Sequence, residues 1–145
     1  MAAGACNGAE RRDQGGAMAK EYSTTIELRF SDLDAYGHVN SAIYFTYLET
    51  ARVKLFSDFF REVSEQAIFT VVAHAECDFK VPILLYDEVV VTVWVSRLGS
   101  SSFDLEYRLH NEQGTTYATA LTTMVCFDAV NKKAVPIPES IKVMA

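Results

Sequence analysis

Arg29-Phe30-Ser31-Asp32-Leu33-Asp34-Ala35-Tyr36-Gly37-His38-Val39-Asn40, running directly into Ser41-Ala42-Ile43-Tyr44-Phe45-Thr46-Tyr47-Leu48-Glu49, is the stretch that decides the fold. Two carboxylates, a glycine and a histidine stand in a short turn ahead of a segment with helical periodicity. From Ser41 to Phe60 the apolar positions Tyr44, Leu48, Ala51, Leu55 and Phe59 recur at helical spacing, and Ile43, Tyr47 and Phe56 widen the stripe. No Gly or Pro interrupts it, and Asn40 is a favourable N-cap. Twenty residues at a rise of 1.5 Å predict a helix of about 30 Å, long enough to lie across a small sheet.

On both sides of this segment the pattern changes to period two. Thr24 to Phe30 alternates with Ile26, Leu28 and Phe30 on one face, which predicts a first strand. After the helix, Ile68 to Lys80 has Phe69, Val71, Ala73, Ala75, Cys77 and Phe79 on one face, and Val89 to Arg97 is β-branched around Trp94. Phe103, Leu105, Tyr107 and Leu109 alternate with polar residues, and Thr115 to Asp128 supplies the last long strand. Leu98-Gly99-Ser100-Ser101 and Asn111-Glu112-Gln113-Gly114 read as turns, and Pro136 and Pro138 as the end of regular structure. The order β-α-β-β-β-β predicts an α+β fold in which one antiparallel sheet of five strands wraps a single long helix.

The chain has 145 residues, half of them hydrophobic, which suits one domain with a sizeable core. Residues 1–20, with four glycines and a Glu10-Arg11-Arg12-Asp13 cluster, read as a flexible leader before a single domain over 21–145. The formal net charge is −6; without the three basic and two acidic residues of the leader, ten basic face seventeen acidic residues. A nucleic-acid partner is disfavoured, because phosphate-backbone binding needs a basic stripe. No apolar run reaches the length of a membrane span or a secretory signal, so the expectation is a cytoplasmic protein without membrane insertion. Cys6, Cys77 and Cys126 lack metal or redox spacing, and the latter two read as small buried hydrophobes. His38, His74 and His110 fall in different elements, so no metal site is expected.

Physical chemistry alone makes the Asp-rich turn a place where an acid or base stands beside the positive end of a helix, suited to chemistry on a carbonyl. An Asp-rich turn before a helix is more often simple turn chemistry. The whole string Asp32-Leu33-Asp34-Ala35-Tyr36-Gly37-His38-Val39-Asn40, however, closely resembles the signature of hotdog-fold acyl-CoA thioesterases of the 4-hydroxybenzoyl-CoA thioesterase type, and the resemblance runs on to about Pro138. It implies the hotdog fold, hydrolysis of acyl-CoA to free acid and CoA, and CoA as part of the substrate with no separate cofactor. It also implies Asp34, the second acid of the Asp-x-Asp pair, as the catalytic carboxylate, acting as nucleophile or as general base. Ser41 then occupies the position whose backbone N–H polarises the thioester carbonyl, in keeping with the unpaired donors of a helix start.

Further residues are candidates for binding substrate. Gly37 lets the turn tighten and the substrate approach the backbone, or serves an ordinary positive-φ turn. His38 contacts Asp34 or the thioester, or satisfies loop backbone; Asn40 caps first and contacts substrate second. Tyr44 lies on the helix as core or as substrate contact, and with Phe45, Tyr47, Phe69 and Trp94 would line an aromatic tunnel suited to short, medium or aromatic acyl groups. Glu49 pairs with Arg52 or points toward the site. The turn with Arg97, Ser100 and Ser101 is a candidate resting place for the CoA nucleotide. A sheet with open edges predicts a homodimer or homotetramer. The alternatives are a non-catalytic acyl-CoA-binding module, or a thioesterase for acyl carrier protein, which the negative charge disfavours.

Overall fold

The computed structural model describes residues 10–12 and 18–145. Short β1 (Glu10–Arg12) pairs with β2 (Met18–Ile26), followed by a 3-10 turn (Phe30–Asp32) and helix α1 (Ser41–Glu65). The remaining elements are β3 (Ile68–Phe79), β4 (Val89–Leu98), β5 (Ser102–His110), β6 (Thr116–Asp128), β7 (Lys133–Ala134) and a short α2 (Glu139–Met144). The strands are antiparallel throughout and lie in the order β1-β2-β4-β5-β6-β3, with β7 on β6. This is the expected α+β hotdog arrangement, an antiparallel sheet around one long helix.

Several boundaries differ from the sequence expectation, each for a tertiary reason. The first long strand covers Met18–Ile26, not Thr24–Phe30, because its ladder on β4 ends where Ile26 meets Val89. Beyond that point Arg29 and Asp32 draw the chain into the 3-10 turn and leave Phe30 80% exposed. Of the segment expected as a flexible leader, residues 1–9 and 13–17, including Cys6, lie outside the described residues, and the described parts are strand. The helix runs five residues further than Phe60, with a non-helical Phe56 (φ −126°, ψ 21°) where that ring sits edge-to-face on Tyr22 at 5.3 Å. It stops at Gln66 and Ala67, the latter in the left-handed region at φ 58°. Helix α2 follows Pro138, past the expected end of regular structure, and buries Ile141.

The inner sheet face and the helix stripe form one core. Val91, Val93, Tyr107, Leu109 and Ala118 are fully buried beneath Leu48 and Ala51 of α1. By strand alternation Trp94 falls on the opposite face from Val93, and it is only half-buried. Among the described residues strand β3 is an edge: its ladder pairs only with β6, a bulge between Val72 and His74 breaks its alternation, and Phe69, Val71, Val72 and Phe79 are exposed. Cys126 is buried as expected, whereas Cys77 on this edge is half-buried, with burial and the neighbouring Asp78 raising its thiol to about 11. No helix among the described residues is long and apolar enough to cross a membrane.

Arg52 does not pair with Glu49, which is exposed. Its side chain is buried, and Nη1 donates to the Tyr107 hydroxyl at 3.2 Å, which shares a 2.7 Å hydrogen bond with Thr122 Oγ1. No carboxylate among the described residues pairs with this guanidinium, so the phenol oxygen is its acceptor. Tyr107→Phe should therefore cost about 1–3 kcal/mol, since it strands a buried donor. Arg52→Met in the same background should recover part of that loss, because an apolar side chain needs no acceptor. Urea-unfolding midpoints of the two single variants and the double variant measure the coupling.

Candidate active site

The turn is built around two aspartates with separate tasks. Asp32 is buried to 1% exposure, with Oδ2 accepting from the Arg29 backbone N–H (3.0 Å) and the Tyr47 hydroxyl (2.7 Å). Its Oδ1 accepts from Arg29 Nε (3.1 Å) and Nη2 (2.9 Å), and its carbonyl accepts the Asn40 N–H at 2.9 Å. Burial opposes ionisation of Asp32, but the hydrogen bonds from Tyr47 and Arg29, with the Arg29 charge, outweigh it and hold the carboxyl below its usual range. Burial, together with the bond to Asp32, pushes the Tyr47 phenol well above its ordinary value. The first acid thus fastens the turn to the second turn of α1.

Asp34 is half-buried and differently placed. Its backbone N–H donates to His38 O (2.7 Å) and its carbonyl accepts from Gly37 N–H (3.1 Å), closing the loop upon itself. Its Oδ1 accepts the backbone N–H groups of Tyr36 (2.9 Å) and His38 (3.1 Å). Oδ2 accepts no hydrogen bond among the described residues, so one carboxylate oxygen is anchored and the other is open. Gly37 has φ +77°, and a Cβ there would meet nothing within 4 Å. It serves the backbone conformation, and it is not among the residues that line the cleft described next.

A cleft of about 510 Å³ opens beside Asp34, lined on its polar side by Asp34, His38, Asn40 and Ser41. Val39 and Tyr44, both nearly fully buried, form its floor, and Phe79 to Pro82 form the opposite wall. Tyr44 stacks edge-to-face on Phe79 with centroids 4.8 Å apart, and burial raises its phenol pKa. Asn40 Oδ1 caps the helix through the Ala42 N–H at 3.0 Å, and its carbonyl takes the Ile43 N–H at 2.9 Å. The Ser41 N–H has no acceptor among the described residues, so a preorganised donor remains on the cleft wall.

The structure thus brings Asp34, His38, Asn40, Ser41 and Tyr44 together and leaves other candidates elsewhere. The β4–β5 turn with Arg97, Ser100 and Ser101 is at the other end of the sheet: Arg97 is registered with Asp104, whereas Phe79 of the cleft is registered with Ala118, five residues before the Thr123 that faces Asp104. Arg97 is engaged bidentately by Asp104 at 2.7 and 3.0 Å and holds that carboxyl below its usual range. Tyr47, Phe69 and Trp94 do not line the cleft, and Leu48 and Ala51 of the helix are fully buried in the core. His74 and Glu76 meet at 3.2 Å on the exposed face of β3, and no group of His, Cys, Asp or Glu among the described residues is arranged to hold a metal ion. Val39 and the Phe79–Pro82 wall escaped the sequence reading. They reach the turn through the Val39 N–H···O=C Ile83 bond (2.9 Å) and the His38–Leu84 bridge, pairings between segments some forty residues apart with no local signature.

Residues 28–143 match the thioesterase-like superfamily, and the chain belongs to it. Fold and family together define a thioesterase enzyme of the hotdog type. Among its relatives are the 1,4-dihydroxy-2-naphthoyl-CoA hydrolase of Thermosynechococcus vestitus, 30% identical over 83% of this chain and 84% of that protein. The long-chain acyl-CoA thioesterase FadM of Escherichia coli is 33% identical over 79% of this chain and 89% of its own. The solved structure of PA2801, a putative thioesterase from Pseudomonas aeruginosa, superposes with a TM-score of 0.76 at 34% identity, covering 83% of this chain and 95% of that one. These relatives carry naphthoyl-CoA and long-chain names, not the 4-hydroxybenzoyl-CoA name that the motif suggested.

Asp32→Asn should lower stability by about 1–3 kcal/mol by leaving buried donors poorly matched. Because the folded pKa of Asp32 lies below its ordinary 3.8, its contribution is present above that value and is lost as pH falls through the lower folded pKa. Denaturant midpoints followed downward from pH about 5 should fall less steeply in Asp32→Asn than in the wild type.

Proposed function

We propose that this protein hydrolyses acyl-CoA thioesters in the Asp34 cleft. The observation that carries the reading is the pairing, on one cleft wall, of a carboxylate with one oxygen anchored and one open with an unclaimed helix-start N–H at Ser41. In one route Asp34 Oδ2 attacks the carbonyl carbon, the thiolate leaves and water hydrolyses the mixed anhydride. In the other Asp34 takes a proton from the attacking water. In both, negative charge grows on the carbonyl oxygen, and the Ser41 N–H at the positive end of α1 is the donor for it. The names of the relatives support an acyl-CoA substrate, and the absence of a membrane-spanning helix among the described residues fits a cytoplasmic setting.

The acyl group we favour is aromatic or of short to medium length, because Val39 and Tyr44 form the cleft floor, Tyr44 packs edge-to-face on Phe79 of the wall, and the core beyond is packed. We further propose a homodimer or homotetramer joined along β3: among the described residues this long edge pairs only with β6 and carries exposed apolar residues, and Phe79 and Val81 belong both to that border and to the cleft wall. Sedimentation at micromolar concentration should show twice the 16.1 kDa chain mass or a multiple of it; a lone monomer contradicts the dimer.

Thiol release from a panel of acyl-CoAs tests the activity, and no turnover on aromatic, short, medium or long esters refutes it. Asp34→Asn should lower kcat by at least about a hundredfold with the fold intact, and a loss below about tenfold, 1.4 kcal/mol, removes Asp34 from the mechanism. Along a chain-length series, kcat/KM should gain about 0.8 kcal/mol per buried methylene and then level off. A rise that continues through long chains would show that the acyl group leaves the cleft by another path.

A further inference from the structure

Resting on the thioesterase reading above, we propose that Lys80 is the cationic anchor for the phosphates of CoA at the mouth of the Asp34 cleft. CoA is strongly anionic, and a chain of net charge −6 whose cleft already contains a carboxylate repels it unless a local cation compensates. Among the described residues that line the cleft, Lys80 alone carries a permanent positive charge. Its backbone is held by the bond from its N–H to Tyr117 O at 2.8 Å, backed by the Val81 N–H to the same oxygen at 3.0 Å. Its side chain is exposed and has no acceptor among the described residues.

Several other cations among the described residues are engaged or stand elsewhere. Arg29 and Arg97 are paired with Asp32 and Asp104, Lys54 donates to the Thr25 carbonyl at 3.0 Å, and Arg52 is buried against Tyr107. Lys132 and Lys133 stand at the β6–β7 turn, where Asp128 is registered with Ile68, the opposite end of β3 from Phe79. The Arg97 turn considered from the sequence therefore yields this role to Lys80.

Depth in the cleft gives the direction of the substrate. Val39 and Tyr44 at the floor are 4% and 3% exposed, Asp34 and His38 are half-buried, and Lys80 is exposed at the rim. A thioester that presents its carbonyl to Asp34 and Ser41 places its acyl group toward the floor and its thiol carrier outward over the rim. An ammonium on a flexible four-carbon stem meets a phosphate there as a point charge that tolerates several approach angles. Because Lys80 touches the carrier and not the reacting carbonyl, it governs capture of substrate and leaves the chemical step unchanged.

The test compares one acyl group carried on CoA and on pantetheine, which lacks the phosphates. Lys80→Gln should raise KM for the acyl-CoA about tenfold, the worth of one charge-assisted hydrogen bond, with kcat unchanged and the acyl-pantetheine unaffected. Added salt should raise the wild-type KM for the CoA ester and have much less effect in Lys80→Gln, and Lys80→Arg should restore most of the affinity. An equal loss on both esters, a fall in kcat, or no change with the CoA ester overturns the assignment. Calorimetric titration with CoA and with pantetheine reads the same contrast without turnover. Absence of hydrolysis would thus refute the thioesterase reading, while the CoA affinities of wild type and Lys80→Gln still decide the anchor.

Discussion

The buried carboxylate of Asp32 is the interaction on which the rest of the site depends. It collects the backbone N–H and guanidinium of Arg29 on one side and the Tyr47 hydroxyl on the other, while its own carbonyl receives the Asn40 N–H. Four residues of the turn and helix, Arg29, Asp32, Asn40 and Tyr47, are thereby held in one geometry. A charge placed at 1% exposure is costly unless its lone pairs are filled, and here the carboxylate accepts four hydrogen bonds. The consequence for Asp34, two residues on, is that the loop between the aspartate and the helix start has little freedom.

That rigidity sets up a division of labour between two chemically similar residues. Asp32 faces inward, filled with donors, and acts through position. Asp34 is tied by Oδ1 to the loop it belongs to, with Oδ2 left without a donor in a cleft whose other wall comes from the end of β3. Preorganised donors contribute most where they need not reorganise as charge develops, and the Ser41 N–H meets that condition because Asn40 has already satisfied its neighbours. The apolar wall, by contrast, stands on an exposed edge strand, so one border of the cleft is also a surface suited to a second copy of the chain.

The long helix and its cap at Asn40, the alternating strands over Phe103–Leu109 and Thr116–Asp128, and the Asp-rich turn ahead of the helix were legible in the sequence, because each is a local pattern. The periodicity of 3.6 or 2 follows from backbone geometry, and a cap or a positive-φ glycine acts within a few residues. The resemblance carried by Asp32 to Asn40 went further and named the hotdog family, to which the chain belongs.

What only the tertiary structure decided is which of those residues meet. The first strand ended at Ile26 because its partner begins at Val89, not because its own alternation failed. Arg97 looked available in sequence and is taken by Asp104 seven residues away, across a turn. The aromatics Tyr47 and Trp94 read as tunnel lining, yet one is bonded to Asp32 and the other lies across the sheet from the helix. Phe79 to Pro82 joined the site because Lys80 and Val81 donate to Tyr117 O while Val39 of the turn donates to Ile83 O, contacts whose partners are set by strand order. Local propensity depends on neighbours in the chain, so the sequence by itself determined the elements and the chemistry of the turn. The cleft is made of contacts between distant segments, and these exist only once the sheet has closed around the helix.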